Sequence, residues 1–219
     1  MLAIFDIDGT ICDTTEVDEQ CFTEALRITL KGSFPRRLWE SYKDVTSSGI
    51  VREILISHPD AESLEDEIEK TFLKLLQQAH QENIKAFQPI LGAPQFLHQL
   101  IKSEFCDAAI ATGCFRTEAN FKLNCVGISL NSFPHATSSD EQSRSKIIEL
   151  AAKRAGFRLN DCIYFGDASW DVQATSQLNI PMIGIGRKAE QLAELGVSHC
   201  FENYENPELI LSALKTYKK

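Results

Sequence analysis

The sequence predicts a doubly wound α/β fold with a small helical domain inserted near its start, and three observations lead there. Short apolar runs recur at Leu2 to Phe5, Ala108 to Ala111, Cys162 to Phe165 and Pro181 to Ile185. None alternates polar with apolar residues, which fits strands buried on both faces of a parallel sheet. Between the runs, and after the last of them, lie segments of helical period: Pro94 to Lys102, Glu118 to Cys125, Arg144 to Ala155, Asp171 to Leu178 and Glu190 to Leu195. Strand alternating with helix is the pattern of a sheet covered on both sides. The third observation is an interruption: residues 14–87 hold no strand-like run and are rich in Glu, Lys and Gln.

Within that interruption Leu64, Ile68, Phe72, Leu75 and Leu76 fall three and four residues apart, an apolar stripe on one helical face. The region is therefore expected to be a helical cap over residues 14–87. Residues 1–13 and 88–219 would form the α/β core, with hinges near Asp13 to Glu16 and Gln88 to Gly92. A chain of 219 residues suits one core with a sizeable insertion better than two independent domains.

Composition narrows the function. A net charge of -9 argues against a nucleic-acid or anionic-membrane surface, which needs clustered Lys and Arg. Apolar and charged fractions of 43% and 24% are those of a soluble globular protein. The seven cysteines are irregularly spaced without a C-x-x-C pair, so they read as reduced core thiols of a cytoplasmic protein. No signal peptide or membrane span is expected, since Asp6 and Asp8 interrupt the first apolar run. Lys215, Lys218 and Lys219 read as a solvated tail.

The acids that interrupt the first run are the main chemical signal. Asp6 closes the first strand at its carboxyl end, where open α/β sheets place their ligands. Asp8 follows at spacing two, and Gly9 allows a sharp turn. A second acidic turn, Gly166-Asp167-Ala168-Ser169-Trp170-Asp171, follows the run Cys162 to Phe165. Two acid-bearing strand ends in one parallel sheet can converge, and the converging carboxylates call for a hard divalent cation, Mg²⁺ fitting best. Thr112-Gly113, after the run Ala108 to Ala111, offers a hydroxyl and a backbone N–H to a phosphate oxygen. Trp170 is expected to pack at a helix start, with a place on the rim of the site as the alternative.

On these residues the chain resembles the haloacid dehalogenase superfamily, in its capped, phosphoglycolate phosphatase-like branch. That family's D-x-D-G-T motif stands as Asp6 to Thr10, its second-strand Thr or Ser as Thr112, and its G-D-x-x-x-D motif as Gly166 to Asp171. Its Lys or Arg at a later helix start has two candidates, Arg144 and Lys146. Arg144 shares the apolar face of Ile147 and Ile148 and is preferred, with Lys146 in reserve. Four fixed residues of D-x-D-G-T should arise by chance in only about one chain in several hundred of this length.

The resemblance implies Asp6 as nucleophile and Asp8 as general acid/base. It implies Mg²⁺ held by Asp6, Asp167, the backbone carbonyl of Asp8 and, directly or through water, Asp171. Thr112, Gly113 and the cation Arg144 or Lys146 would bind the phosphoryl oxygens. An acid two residues after the nucleophile suits a phosphomonoesterase or phosphomutase, because a carbon–halogen hydrolase has no alkoxide to protonate. The stretch Thr46-Ser47-Ser48-Gly49 is the candidate cap segment over the substrate; an ordinary helix-to-helix turn is the alternative. The expectation is a phosphatase, monomeric or homodimeric, acting on a small, polar phosphorylated metabolite. A phosphomutase of the same architecture is the rival enzyme, and a phosphate-binding regulatory protein with little turnover the reading from another class.

Overall fold

The computed structural model describes residues 1–217 except 33, 35, 36 and 104, so Lys218 and Lys219 of the expected tail lie outside the described residues. In chain order the strands are β1 (Leu2–Phe5), β2 (Cys12–Asp13), β3 (Gln88–Pro89), β4 (Asp107–Ala111), β5 (His135–Ala136), β6 (Cys162–Gly166), β7 (Met182–Ile185) and β8 (His199–Phe201). The α-helices are α1 (Thr15–Thr29), α2 (Ser47–Ile54), α3 (Ala61–Glu82), α4 (Ala93–Lys102), α5 (Arg116–Cys125), α6 (Arg144–Arg154), α7 (Ser169–Leu178), α8 (Ala189–Glu194) and α9 (Pro207–Thr216).

Six strands form one parallel sheet in the order β5-β4-β1-β6-β7-β8. β1 is central, pairing Phe5 with Ile110 of β4 and with Phe165 of β6. Its four residues are fully buried and point alternately to opposite faces. Ala3 and Phe5 join Phe96 and Leu100 of α4, Leu123 of α5 and Leu214 of α9. Leu2 and Ile4 join Ile147, Ile148 and Ala151 of α6, Ala174 of α7 and Leu192 of α8. Helices thus cover both faces, and this two-sided burial is why the strand runs read as continuously apolar.

The short edge strands β5 and β8 were not anticipated: two and three residues, carrying His135 and His199, leave no apolar run to recognise. Lys215 lies exposed in the last turn of α9 rather than in a tail. Five of the seven cysteines are buried. No helix among the described residues is long and apolar enough to cross a membrane.

Between β2 and β3, which pair antiparallel, the chain forms α1, α2 and α3. Ile68, Phe72 and Leu76 of α3 are buried against Phe22 and Leu26 of α1 and Val51 of α2. These helices therefore have an apolar core of their own, joined from the α/β side by Phe115. The ribbon of β2 and β3 carries the chain out to them and back.

Candidate active site

β1 ends at Phe5, and the next residue, Asp6, lies at the carboxyl edge of the sheet with its N–H donating to the Phe165 carbonyl, 3.0 Å. β6 ends beside it and delivers Asp167, while Asp171 stands in the first turn of α7. The Asp171 carboxylate accepts the N–H groups of Asp167 and Ala168, each at 3.2 Å, and the Tyr164 hydroxyl at 3.3 Å. Carboxylate oxygens of Asp6, Asp167 and Asp171 lie within 4.8 Å of one another, all three residues buried. Gly9, with φ of +70°, makes the crowding possible: a Cβ there would stand 2.1 Å from Asp167 Oδ2, so any side chain would be strained and would push Asp167 away.

Arg144 provides the positive charge at this centre. At the start of α6, it donates through Nη1 to Asp6 Oδ2 at 2.9 Å and lies 3.1 Å from Asp171 Oδ1. Gly113 leaves it room, since a Cβ there would sit 2.5 Å from Arg144 Nη2. Lys146 is not brought to the cluster: it is exposed. Two residues along a helix is about 200° of rotation, so a neighbour of the inward Arg144 must face outward. The sequence preferred Arg144 and held Lys146 in reserve; the structure has Arg144 at the acids.

One guanidinium does not neutralise three buried carboxylates. Burial, partly offset by Arg144, raises the Asp6 carboxyl above its usual range. Burial and the charges of Asp171 and Asp6 raise Asp167 well above it. Asp171 is pushed up to about 7, chiefly by burial, against the opposing pull of Arg144. Clustered, buried oxygen donors held at such a cost fit a hard divalent cation, whose charge removes the penalty.

Asp8 faces a different set of groups. Its Oδ1 accepts the Thr14 hydroxyl at 2.5 Å, and its Oδ2 accepts Cys114 Sγ–H at 3.0 Å and Lys122 Nζ at 2.8 Å. Burial alone would raise its carboxyl; Lys122 and these donors reverse that and hold it below the usual range. Its side chain therefore stands apart from the three-carboxylate cluster, and only its backbone carbonyl remains for the ligand role the resemblance implied. Lys122 is the residue that sequence reasoning missed. Its one signal is a lysine on the buried stripe of α5, four residues after Glu118 and between the core positions Ala119 and Leu123.

The acids open into a cavity of about 500 Å³, lined on the sheet side by Asp6, Asp8, Thr112 and Gly113. Its opposite wall includes Phe22, Trp39 and Tyr42, with Trp39 stacked on Tyr42 at 6.0 Å and tilted against Phe22 at 5.7 Å. Thr46 and Ser47 line it too, yet they belong to a helix start rather than a free loop. Thr46 caps α2 by accepting the Gly49 N–H at 3.0 Å, and the Ser47 N–H donates to the Gly113 carbonyl at 2.8 Å. Ser48 turns to Ser138 and Gly49 lies against Asp44, so neither lines the cavity. Trp170 stands in the first turn of α7, and of the two expected places it takes the rim, lining the cavity with the Lys188 ammonium 5.8 Å from its ring.

The family model of haloacid dehalogenase-like hydrolases matches residues 3–185, most of the chain. The chain belongs to that family. This haloacid dehalogenase-like hydrolase also matches solved structures over nearly its whole length. A hydrolase from Pseudomonas syringae aligns with a TM-score of 0.73 at 23% identity, covering 100% of this chain and 99% of that one. A beta-phosphoglucomutase from Clostridium difficile aligns with a TM-score of 0.74 at 20% identity, covering 99% and 97%. CbbY from Rhodobacter sphaeroides, solved in complex with phosphate, aligns with a TM-score of 0.71 at 14% identity, covering 94% and 95%. No curated protein matches this hydrolase by sequence.

Proposed function

We propose that this hydrolase is a phosphatase that cleaves a phosphomonoester through an aspartyl-phosphate on Asp6. The observation that supports it most is the second carboxylate: Asp8 lines the same cavity as Asp6 yet is held by its own donors. A nucleophile and a separate proton carrier are what transfer from a poor leaving group requires.

In the first step Asp6 attacks phosphorus in line and the ester C–O oxygen departs; Asp8, ionised in the free enzyme, gives that oxygen a proton taken up from the bound phosphate monoanion. In the second, Asp8 takes a proton from the water that attacks the phosphoenzyme, and Asp6 is released. Thr112, the Gly113 N–H and Arg144 would hold phosphoryl oxygens as charge moves. Asp6, Asp167 and Asp171, with the Asp8 carbonyl, would hold Mg²⁺, which supplies electrostatic screening between the anionic nucleophile and the anionic substrate.

The cavity also bears on the alcohol. Phe22, Trp39 and Tyr42 favour a substrate with an apolar or aromatic part over the small polar metabolite expected from sequence. Besides Arg144, the described cations lining the cavity are Arg37 and Lys188. Both are exposed, Arg37 paired with Glu53 and lying over the Tyr42 ring.

Hydrolysis of p-nitrophenyl phosphate with and without Mg²⁺, beside Asp6→Asn, tests the proposal. Metal-dependent release of p-nitrophenol by the wild type and none by Asp6→Asn is expected. Equal inertness of both across a panel of phosphate esters would overturn it.

A further inference from the structure

We propose that Lys122 is a positioning residue for Asp8: with Thr14 and Cys114, its buried ammonium keeps the Asp8 carboxylate aimed into the cavity beside Asp6, while Asp18 and Glu118 hold the lysine. This rests on the reading of Asp8 as proton carrier given above.

Asp8 is a short side chain on the turn that follows β1, next to a glycine at positive φ, and nothing in the turn itself fixes its rotamer. Donors from three separate parts of the chain do so: Thr14 before α1, Cys114 after β4, and Lys122 on α5. Lys122 has no solvent exposure, while the Asp8 side chain keeps 20% and reaches the cavity. Lys122 itself is not among the cavity-lining residues. It can act on a substrate only through the carboxylate it holds.

The lysine's own contacts show how it is held. An ammonium has three N–H donors, and Nζ meets three carboxylates: Asp8 and Glu118 at 2.8 Å each, and Asp18 of α1. Glu118 lies four residues back on the same helix, and its other oxygen accepts the Phe115 N–H at 3.0 Å and the Ser47 hydroxyl at 3.2 Å. A lysine that only tied α1 to α5 would be served by Asp18 and Glu118. The third donor, spent on a carboxylate facing the cavity, is what gives the cluster a place in the chemistry. Full burial of a lysine is costly unless every donor is matched, so the ammonium has little freedom to move.

A proton carrier held off its line matters most when the departing oxygen is a poor leaving group, because an activated one departs without a proton. The test compares wild type, Lys122→Met and Asp8→Asn in saturating Mg²⁺ on p-nitrophenyl phosphate and benzyl phosphate. These are aromatic esters of similar size and very different leaving groups. The readout is kcat/KM, which covers the steps through loss of the alcohol and omits the common hydrolysis of the phosphoenzyme. For Asp8→Asn the loss on benzyl phosphate should exceed that on p-nitrophenyl phosphate by roughly 10²-fold or more, within the range of general acid catalysis. For Lys122→Met the excess should be smaller but at least about 10-fold, the share of that catalysis that aiming supplies. Equal losses on the two esters in Lys122→Met, or no loss, overturn the positioning role while Asp8→Asn keeps its differential. If Asp8→Asn itself shows no differential, the reading of Asp8 fails instead. Because Lys122→Met strands three carboxylates, Lys122→Met/Asp18→Asn/Glu118→Gln, which removes two of them, is measured beside it. Whichever variant retains the wild-type melting transition must show the differential.

Discussion

Without divalent metal the protein is expected to lose stability as pH rises from about 5 to about 8, because the buried carboxyls of the cluster must then ionise against one another. Asp171 sets the scale. Its carboxyl titrates at about 7 in the folded protein against 3.8 ordinarily, a shift of about three units worth roughly 4 kcal/mol at ~1.4 kcal/mol per unit. Above 3.8 the unfolded chain has released this proton and the folded protein still holds it, so stability falls with pH until about 7 and then levels. Roughly 3 kcal/mol of that fall lies between about pH 5 and pH 8, which for a chain of this length is a drop of about 6–12 °C in Tm. Asp6 and Asp167, also raised, add to the fall. Asp8 has the opposite sign, being lowered, but its contribution is fully present above its ordinary 3.8 and is lost only in stronger acid. Guanidinium unfolding across this pH range, in chelator and in excess Mg²⁺, measures the effect. Mg²⁺ should stabilise more at the alkaline end, where its ligands are ionised, and Asp171→Asn should flatten the metal-free slope. Metal-free stability that is level or rising with pH, or an unchanged slope in Asp171→Asn, would refute the reasoning.

Three further outcomes follow from the geometry. Arg144→Ala should lower kcat/KM on phosphate esters by about 10- to 10²-fold, the scale of lost hydrogen bonds to charged groups, while Lys146→Ala, an exposed change, leaves it within about twofold; the two are compared by steady-state kinetics. Trp39→Ala should raise KM for benzyl phosphate by a few-fold to about 10-fold, from the loss of ~0.5–1.5 kcal/mol of ring contact, and change KM for a sugar phosphate little. Phe72→Ala, which empties a site packed against Phe22 at 5.2 Å in the helical layer, should cost about 3–5 kcal/mol, read by denaturant unfolding.

Much of the fold is legible because burial leaves a local trace. The four central strand runs are apolar without alternation since both faces of the sheet are covered, and Ile68, Phe72 and Leu76 mark the buried face of α3 by their spacing. The trace fails where elements are short or polar, as at β5 and β8, whose pairing comes from neighbours in the sheet rather than from their own residues. The segment from Thr46 to Gly49 shows the limit on the other side. Small polar residues suit a loop or a helix start equally, and the cap bond from Gly49 to Thr46 decides for the helix.

By itself the sequence determined the acid-bearing strand ends. Asp6, Asp8, Asp167 and Asp171 each follow an apolar run at a fixed short distance, and a parallel sheet places all such ends on one edge. Tertiary structure alone decided which groups meet those acids. Arg144 was already preferred over Lys146 from its helical face, but that its guanidinium meets both Asp6 and Asp171 is a matter of how α6 packs on the sheet. Trp170 faces the cavity rather than the interior, and Lys122 meets Asp8 from 114 residues away. Side-chain periodicity fixes which face a residue takes within its own element; which charge lies opposite is set by how elements from distant parts of the chain pack, and no local pattern encodes that.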